Sequence, residues 1–518
     1  MPTGLWPAPS VAVVLASVAT FALEGIRTRE VTVEVDARRG LPTFTLVGLP
    51  DRAIRESRER VRAALLNSEL EFPMMRLTVN LAPADLRKEG PGFDLAIAVG
   101  VLMASGQVPV ESLEGCAVCG ELSLSGELRP VRGVLAAALG TRDSGRGRIV
   151  VPVENAPEAA LVDGVEVVGA PTLARLADAV HGRWEPEPVM ALEPPPRAAP
   201  LLDLADVRGQ PDAKRALELA AAGGHNLLMV GPPGAGKTML ARRLPGILPP
   251  PTFDEALEIT RIQSAAGIGG RTLATERPFR APHHTTSPQG LVGGGSTPRP
   301  GEVTLAHRGV LFLDELAEFK RDSLDALRQP LEDGRAEIVR GQRMLEFPAR
   351  AMLVAACNPC PCARPRERCS CSQVERARYQ RRMSGPLLDR IDLVCQVDAV
   401  PMLELVHARR AAGPSSTDVR ARVVAARERQ LARLEGTRFA CNADLDTPTT
   451  RRVVQLDADL RDRLVSGEAQ RVLSGRGHER VLRVARTIAD LEGRKRVAAR
   501  HLEEALGYRV SGWDELAA

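Results

Sequence analysis

The stretch GPPGAGKT, Gly231 to Thr238, has the residue types and spacing to hold a polyphosphate. Glycines let backbone N–H groups close around phosphate oxygens, and the lysine places a point charge where the terminal phosphates would lie. Lys237 is one of only five lysines, with Lys88, Lys214, Lys320 and Lys495, so its place in the loop is not a matter of composition. Gly231, Pro232, Pro233, Gly234, Ala235, Gly236, Lys237, Thr238 and Met239 form the candidate nucleotide loop, with Thr238 set to ligate Mg²⁺. GVLFLDEL, Gly309 to Leu316, supplies the complement: an apolar run ending in Asp314, to hold Mg²⁺ through water, and Glu315, to polarise an attacking water. AMLVAACN ends at Asn358, an amide that could touch the γ-phosphate or that water. The chemistry implied is ATP hydrolysis with Mg²⁺.

A second chemistry lies in thiols. ACNPCPCARPRERCSC, Ala356 to Cys371, holds five of the nine cysteines. Cys360, Cys362, Cys369 and Cys371 make a C-x-C-x₆-C-x-C pattern in a Pro- and Arg-rich loop, enough thiolates for a tetrahedral Zn²⁺ site that would fold the loop and display Arg364, Arg366 and Arg368. Reduced, unligated thiols are the alternative. Cys357 belongs to the preceding strand, and Cys116 and Cys119, lacking a second pair or a following helix, read as a core pair. His283 and His284 have no carboxylate or thiol nearby in sequence, so they read as an ordered or pore-facing loop and not as ligands.

The elements needed to position these groups can be read around them. At 518 residues the chain suits two to four domains. EPEPVMALEPPPRAAP, Glu185 to Pro200, is too proline-rich for a helix and divides 1–184 from the rest of the chain. Over 201–400 the order is helix (DAKRALELAAAG), strand (HNLLMVG), glycine loop, helix, an α/β nucleotide-binding unit; 401–518 shows helical spacing. Val11 to Leu23 reads as a buried strand, without the basic start of a secretory signal. No apolar run is long enough to span a membrane, and clustered cysteines in odd number suit a reducing compartment, so a cytoplasmic protein without membrane contact is expected. The formal charge is only +4, but Arg-rich local surfaces remain able to hold phosphates.

GPLLDRIDLV, with Arg390 between two acids, and RVLRVARTIADL, with Arg480 and Arg483 on a helix, complete a pattern that resembles the AAA+ ATPases. That resemblance implies sensor 1 at Asn358, an arginine finger at Arg390 and a sensor-2 arginine at Arg480, with Arg476 and Arg483 as competitors. A surface ion pair with Asp389 or Asp392 is the plain alternative for Arg390. RPFRAPHHTTSPQGLVGGGSTPRPGEVTLAHRGVLFLDE, Arg277 to Glu315, taken with AACNPCPC and SGPLLDRIDL, closely resembles the magnesium-chelatase-like AAA+ proteins of the YifB/ComM family, from about Val13 to Tyr508. The implied fold is an α/β P-loop AAA+ module with a helical C-terminal lid. The implied activity is a ring-forming ATPase, a homo-hexamer, linked to DNA branch migration, with branched or single-stranded DNA as partner. EDGRAEIVRGQRMLEFPAR reads as strand, turn, strand, with Arg340 and Arg343 beside the tip. In related motors such insertions line a central pore, where arginines can hold a phosphate backbone.

In the first 184 residues, KEGPGFDLAIAVG, GELSLSGELRPVRGVLAAAL and IVVPVEN are similar, in order, to the proteolytic domain of Lon, an α+β, ribosomal S5-like fold. Gly92 and Leu135 stand where that domain has its serine and lysine. Without an alcohol and an amine, acyl transfer has no nucleophile and no base. The expectation is a retained fold without peptidase activity. Three functions compete: a DNA motor, a metal-insertion ATPase of the magnesium-chelatase type, and a Lon-like protease, which Gly92 and Leu135 disfavour.

Overall fold

The computed structural model describes residues 15–190, 202–268, 272–295, 298–340, 343–364, 369–383, 385–401, 413–457, 460–461 and 475–517. The chain forms two compact units, Met1–Pro194 with Thr260–Ala274, and Pro195–Ile259 with Thr275–Ala518.

The first unit is built on strands β1 (Leu15–Glu24), β2 (Arg27–Arg38), β3 (Thr43–Val47), β4 (Arg76–Ala82), β5 (Cys116–Val118), a short ribbon of β6 (Glu121–Leu122) and β7 (Leu128–Arg129), β8 (Arg148–Pro152) and β9 (Glu166–Ala170). They make a mixed seven-stranded sheet in the order β3-β4-β2-β1-β5-β8-β9, the ribbon standing apart. β2 shows why: in RTREVTVEVDAR the residues Val31, Val33, Val35 and Ala37 are buried on one face and the polar residues between them take the other. The helix Asp94–Ala104 is apolar all round and wholly buried. Its one acid, Asp94, accepts from Arg60 Nε at 2.6 Å and from Ser57 Oγ, so the buried charge is paired. Cys116 and Cys119 are buried core thiols, as their spacing implied.

The second unit contains β10 (Leu227–Val230), β11 (Phe279–Arg280), a ribbon of β12 (Gly293–Gly294) and β13 (Arg299–Pro300), β14 (Val310–Leu313), the hairpin β15 (Arg335–Arg340) and β16 (Arg343–Pro348), β17 (Met352–Cys357) and β18 (Leu393–Gln396). β11-β14-β17-β10-β18 form one sheet, every neighbouring pair parallel. Continuous apolar runs such as LLMV and VLFL are buried on both faces, the composition a parallel sheet demands. Helices Ser416–Arg433, Thr447–Val454, Gly475–Leu491 and Ala499–Ala517 supply the helical C-terminal part, and Val423, Ala426, Val481 and Ile488 join the core beneath Leu217 and Ala220. The expected fold class, an α/β P-loop module with a helical C-terminal part preceded by an α+β domain, is what the chain adopts. No helix among the described residues is long and apolar enough to cross a membrane.

Candidate active site

β10 ends at Val230 and the glycine loop turns into the helix Lys237–Ala241. A Cβ at position 231 would sit 2.0 Å from the Val397 carbonyl oxygen, so only glycine lets this loop pass the segment after β18. Gly236, at φ +91°, opens the helix from the left-handed region. Lys237 Nζ donates to the carbonyls of Gly231 at 2.6 Å and Pro232 at 2.9 Å and to Asn358 Oδ1 at 3.2 Å. Burial pulls this ammonium below its ordinary value, against the nearby Asp314 and Glu315 carboxylates. Thr238 Oγ1 donates to Asp314 Oδ2 at 2.6 Å, so the hydroxyl and carboxylate expected to share Mg²⁺ stand side by side. Met239 follows in the first turn of the helix, half exposed.

Glu315 adopts φ +53°, unusual for a residue with a Cβ and costing on the order of 1–3 kcal/mol. Its backbone N–H donates to Asp314 Oδ1 at 3.0 Å, and its carboxylate lies 3.4 Å from His284 Nδ1. His284 thus gains an acidic partner that the neighbouring sequence does not offer: β11 pairs with β14, and that pairing brings the loop after one strand to the acid after the other. The His283 and His284 rings are 4.1 Å apart, and His283 Nδ1 is 2.9 Å from Thr285 Oγ1. Loop amides, the ammonium and the hydroxyl–carboxylate pair are the donor set that ATP with Mg²⁺ requires, and the arrangement fits both.

Asn358 follows β17, with its backbone near the buried Tyr379. Beyond it Cys360, Cys362, Cys369 and Cys371 converge, their sulfurs all within 4.8 Å of one another. Three separations are 3.3, 3.5 and 3.7 Å, Cys360–Cys362, Cys360–Cys369 and Cys362–Cys369. Zn–S bonds of about 2.3 Å in a tetrahedron put sulfurs about 3.8 Å apart. The cluster is compatible with zinc. A backbone N–H from Arg364, with the Cys360 thiol, lowers Cys362 to about 6, while burial and the neighbouring sulfurs push Cys360 up to about 12. Arg366 and Arg368 lie outside the described residues.

The remaining arginines are elsewhere. Asn226 and Asp392 precede β10 and β18, so they mark the edge of the sheet opposite the glycine loop, with about 13 Å of strand between. A cleft of about 880 Å³ there is lined by Glu332, Arg390, Asp392, Arg480 and Arg483 among others. Arg390 is ion-paired with Glu332, and its carbonyl accepts from Asn226 Nδ2 at 2.9 Å. Arg480 Nε is 3.5 Å from Asp392 Oδ1. Burial lowers Arg480 to about 10 in spite of that carboxylate. Burial would raise Asp392, but His225 at 3.4 Å and the guanidinium groups of Arg483 and Arg480 outweigh it and hold the carboxyl below its usual range. Lys237, Thr238, Asp314, Glu315 and Asn358 are thus brought together, and Arg390 and Arg480 are not brought to them. Arg340 and Arg343 pair across the end of β15–β16, but their side chains, and 341–342, lie outside the described residues. The neighbouring cross-strand pair, Val339 and Met344, is 72% and 61% exposed.

Known proteins show the same composite. Three family descriptions match in succession: "Subunit ChlI of Mg-chelatase" over residues 33–155, "Magnesium chelatase, subunit ChlI" over 203–405, and "Magnesium chelatase, subunit ChlI C-terminal" over 413–509. Competence protein ComM of Haemophilus influenzae is 44% identical over 511 residues, 96% of this chain and 97% of its own length. The uncharacterized protein YifB of Escherichia coli is 42% identical over 501 residues, 96% and 97% of the two lengths. The chain belongs to the magnesium-chelatase-like family of YifB and ComM. Membership in that family makes it an AAA+-type ATPase, for which ATP and Mg²⁺ are the implied ligands. Lon protease 2 of Bacillus subtilis matches in part, 24% identical over 166 residues, 29% of this chain and 30% of that protein. Inside the Lon-like unit, a Cβ at Gly92 would meet Val131 Cγ1 at 3.7 Å, and the Leu135 side chain is fully buried. The His284–Glu315 contact is the part of this family site that motif reading missed. The signal was available in principle, since HH follows the β11 segment, but only strand pairing gives it meaning.

Proposed function

We propose that this chain is an ATP-driven ring motor acting on branched or single-stranded DNA. The observation that carries the reading is the division of the candidate catalytic set between opposite edges of one parallel sheet. Lys237, Thr238, Asp314, Glu315 and Asn358 hold one edge, Arg390 and Arg480 the other. A site that needs all of them is completed by a second copy, and repetition of that contact closes a ring, here taken as a hexamer. In it Lys237 binds the terminal phosphates, Glu315 orients water and takes its proton, and Arg390 and Arg480 of one copy face the charge that develops in the next. The β15–β16 hairpin, with Arg340, Arg343 and the exposed pair Val339 and Met344, supplies the surface that would grip DNA in the opening. The competence protein ComM among the relatives supports the same reading.

The test is ATP-dependent movement of a synthetic Holliday junction by purified protein. Movement is expected, and Arg340→Ala with Arg343→Ala should impair it while flattening the log–log salt dependence of DNA binding by about 1.4 to 1.8. An active ATPase that neither binds DNA nor moves the junction would sink the motor. The magnesium-chelatase descriptions favour a second reading, a metal-insertion ATPase subunit. Complementation of a chelatase lacking that subunit would establish it.

We assign Zn²⁺ to the four-cysteine cluster, where it would fold a loop that has no core of its own. Elemental analysis after chelator washing should find about one zinc per chain. Replacing Cys360 and Cys362 by serine together should remove it, and Cys116→Ser should not. Metal-free protein with the loop still ordered counts against the site. The Lon-like unit keeps a fold without peptide cleavage, because Gly92 and Leu135 offer neither nucleophile nor base.

A further inference from the structure

The cysteine cluster is followed at once by the helix Gln373–Arg382, QVERARYQRR. A capping box starts it: Glu375 N donates to Ser372 Oγ at 3.3 Å, and Ser372 N donates to Glu375 Oε2 at 2.8 Å. Tyr379 and Met383 are buried on one side. Arg378, Arg381 and Arg382, at i, i+3 and i+4, share the exposed side. There they meet Arg321, from the start of the helix Arg321–Ala326, around a cavity of about 410 Å³ next to Phe319. Four guanidinium groups line it against one carboxylate, Glu318, whose Oε2 is 3.8 Å from Arg382 Nη1. Arg321 is 73% exposed and only loosely tied to Asp325, at 3.6 Å.

Like charges at this spacing on one helix face repel. Glu318, Asp325 and Glu375 offset part of that repulsion, and a bound polyanion would offset the rest, so the anion's chemistry can be narrowed. The large apolar residue of the lining, Phe319, is itself buried, which leaves the guanidinium groups as the directional recognition elements of the cavity. Guanidinium forks matched to phosphate oxygens remain. We propose that Arg321, Arg378, Arg381 and Arg382 form a second phosphate-backbone contact for nucleic acid, apart from the β15–β16 hairpin. The site adjoins the catalytic groups on both sides. Glu318 closes the turn Leu316–Glu318 that directly follows Glu315, and Tyr379 on the same helix lies near the Asn358 backbone. Arg376 Nη2, 3.7 Å from Cys369 Sγ, ties the helix to the cysteine cluster. Phosphates held here therefore bear on elements attached to the water-orienting acid and to the amide beside Lys237.

This inference rests on the proposal of a DNA motor, and one titration separates the two. Fluorescence anisotropy of a labelled single-stranded oligonucleotide is followed over a range of KCl for the full chain and for Arg378→Ala/Arg381→Ala/Arg382→Ala. The slope of log affinity against log salt should flatten by about 2, three contacts at about 0.7 each, or by about 2.7 on duplex DNA. The corresponding triple lysine variant should keep the slope, because slope counts charges. Binding of a fluorescent ATP analogue reports an intact fold. Should the triple variant fail that control, Arg381→Gln alone is read, with a loss of about 0.7. A slope unchanged beside a DNA-binding parent overturns this site and spares the motor. A parent that does not bind DNA overturns both. Loss of ring mass in the alanine variant at unchanged slope makes the cluster a contact between copies, and overturns the proposal as well.

Discussion

Glu315→Gln should bind ATP with near-normal affinity and lose turnover by about 10²- to 10⁴-fold, the range in which a positioned general base contributes. The two parts of that expectation have separate causes. In the proposed site nucleotide would be held by the loop amides, by Lys237 and by the Thr238–Asp314 pair, none of which is bonded to the Glu315 carboxylate. In the proposed mechanism the carboxylate orients water and takes its proton, and an amide of the same shape cannot take a proton. Lys237→Ala should fail earlier, at binding, because the ammonium is the one positive charge among the groups gathered in the loop. Rapid-quench measurement of ATP turnover beside equilibrium binding separates the two variants. Near-normal hydrolysis by Glu315→Gln would remove Glu315 from the site.

Arg390→Ala should bind ATP yet hydrolyse it about 10³- to 10⁵-fold more slowly, the effect of losing an arginine supplied by a neighbour. Arg390 lies at the sheet edge away from its own Lys237, paired with Glu332, so loss of its charge should not touch its own loop. The sharper measurement mixes Arg390→Ala with Lys237→Ala chains. Each is inactive alone for a different reason, and some interfaces in a mixed ring join an intact loop to an intact arginine. Turnover should return in part. Verified mixed rings without any recovery would place the Arg390 effect within its own subunit.

What could be read from the sequence alone was chemistry in contiguous residues. GPPGAGKT is legible because a loop that wraps phosphates must do so with consecutive backbone amides, and a preceding apolar strand and following helix complete the unit. The C-x-C pairs are legible for the same reason, since one short stretch carries all four sulfurs that converge within 4.8 Å. The expectation of no peptidase chemistry also rests on contiguous residues: Gly92 carries no nucleophile and Leu135 no amine. The contacts between distant segments were decided by the tertiary structure. Thr238 meets Asp314 and Lys237 meets Asn358 because β10, β14 and β17 lie side by side in one parallel register. His284 reaches Glu315 because β11 pairs with β14, although the sequence offered it no acid. Arg390 and Arg480 read as members of one catalytic set, yet the strand direction puts them at the far edge, since a residue before a parallel strand and a residue after its neighbour stand a full strand length apart. The cluster of Arg321 with Arg378, Arg381 and Arg382 likewise exists only once two helices from separate stretches share one cavity, because charge density on a surface is a property of packing and not of order along the chain.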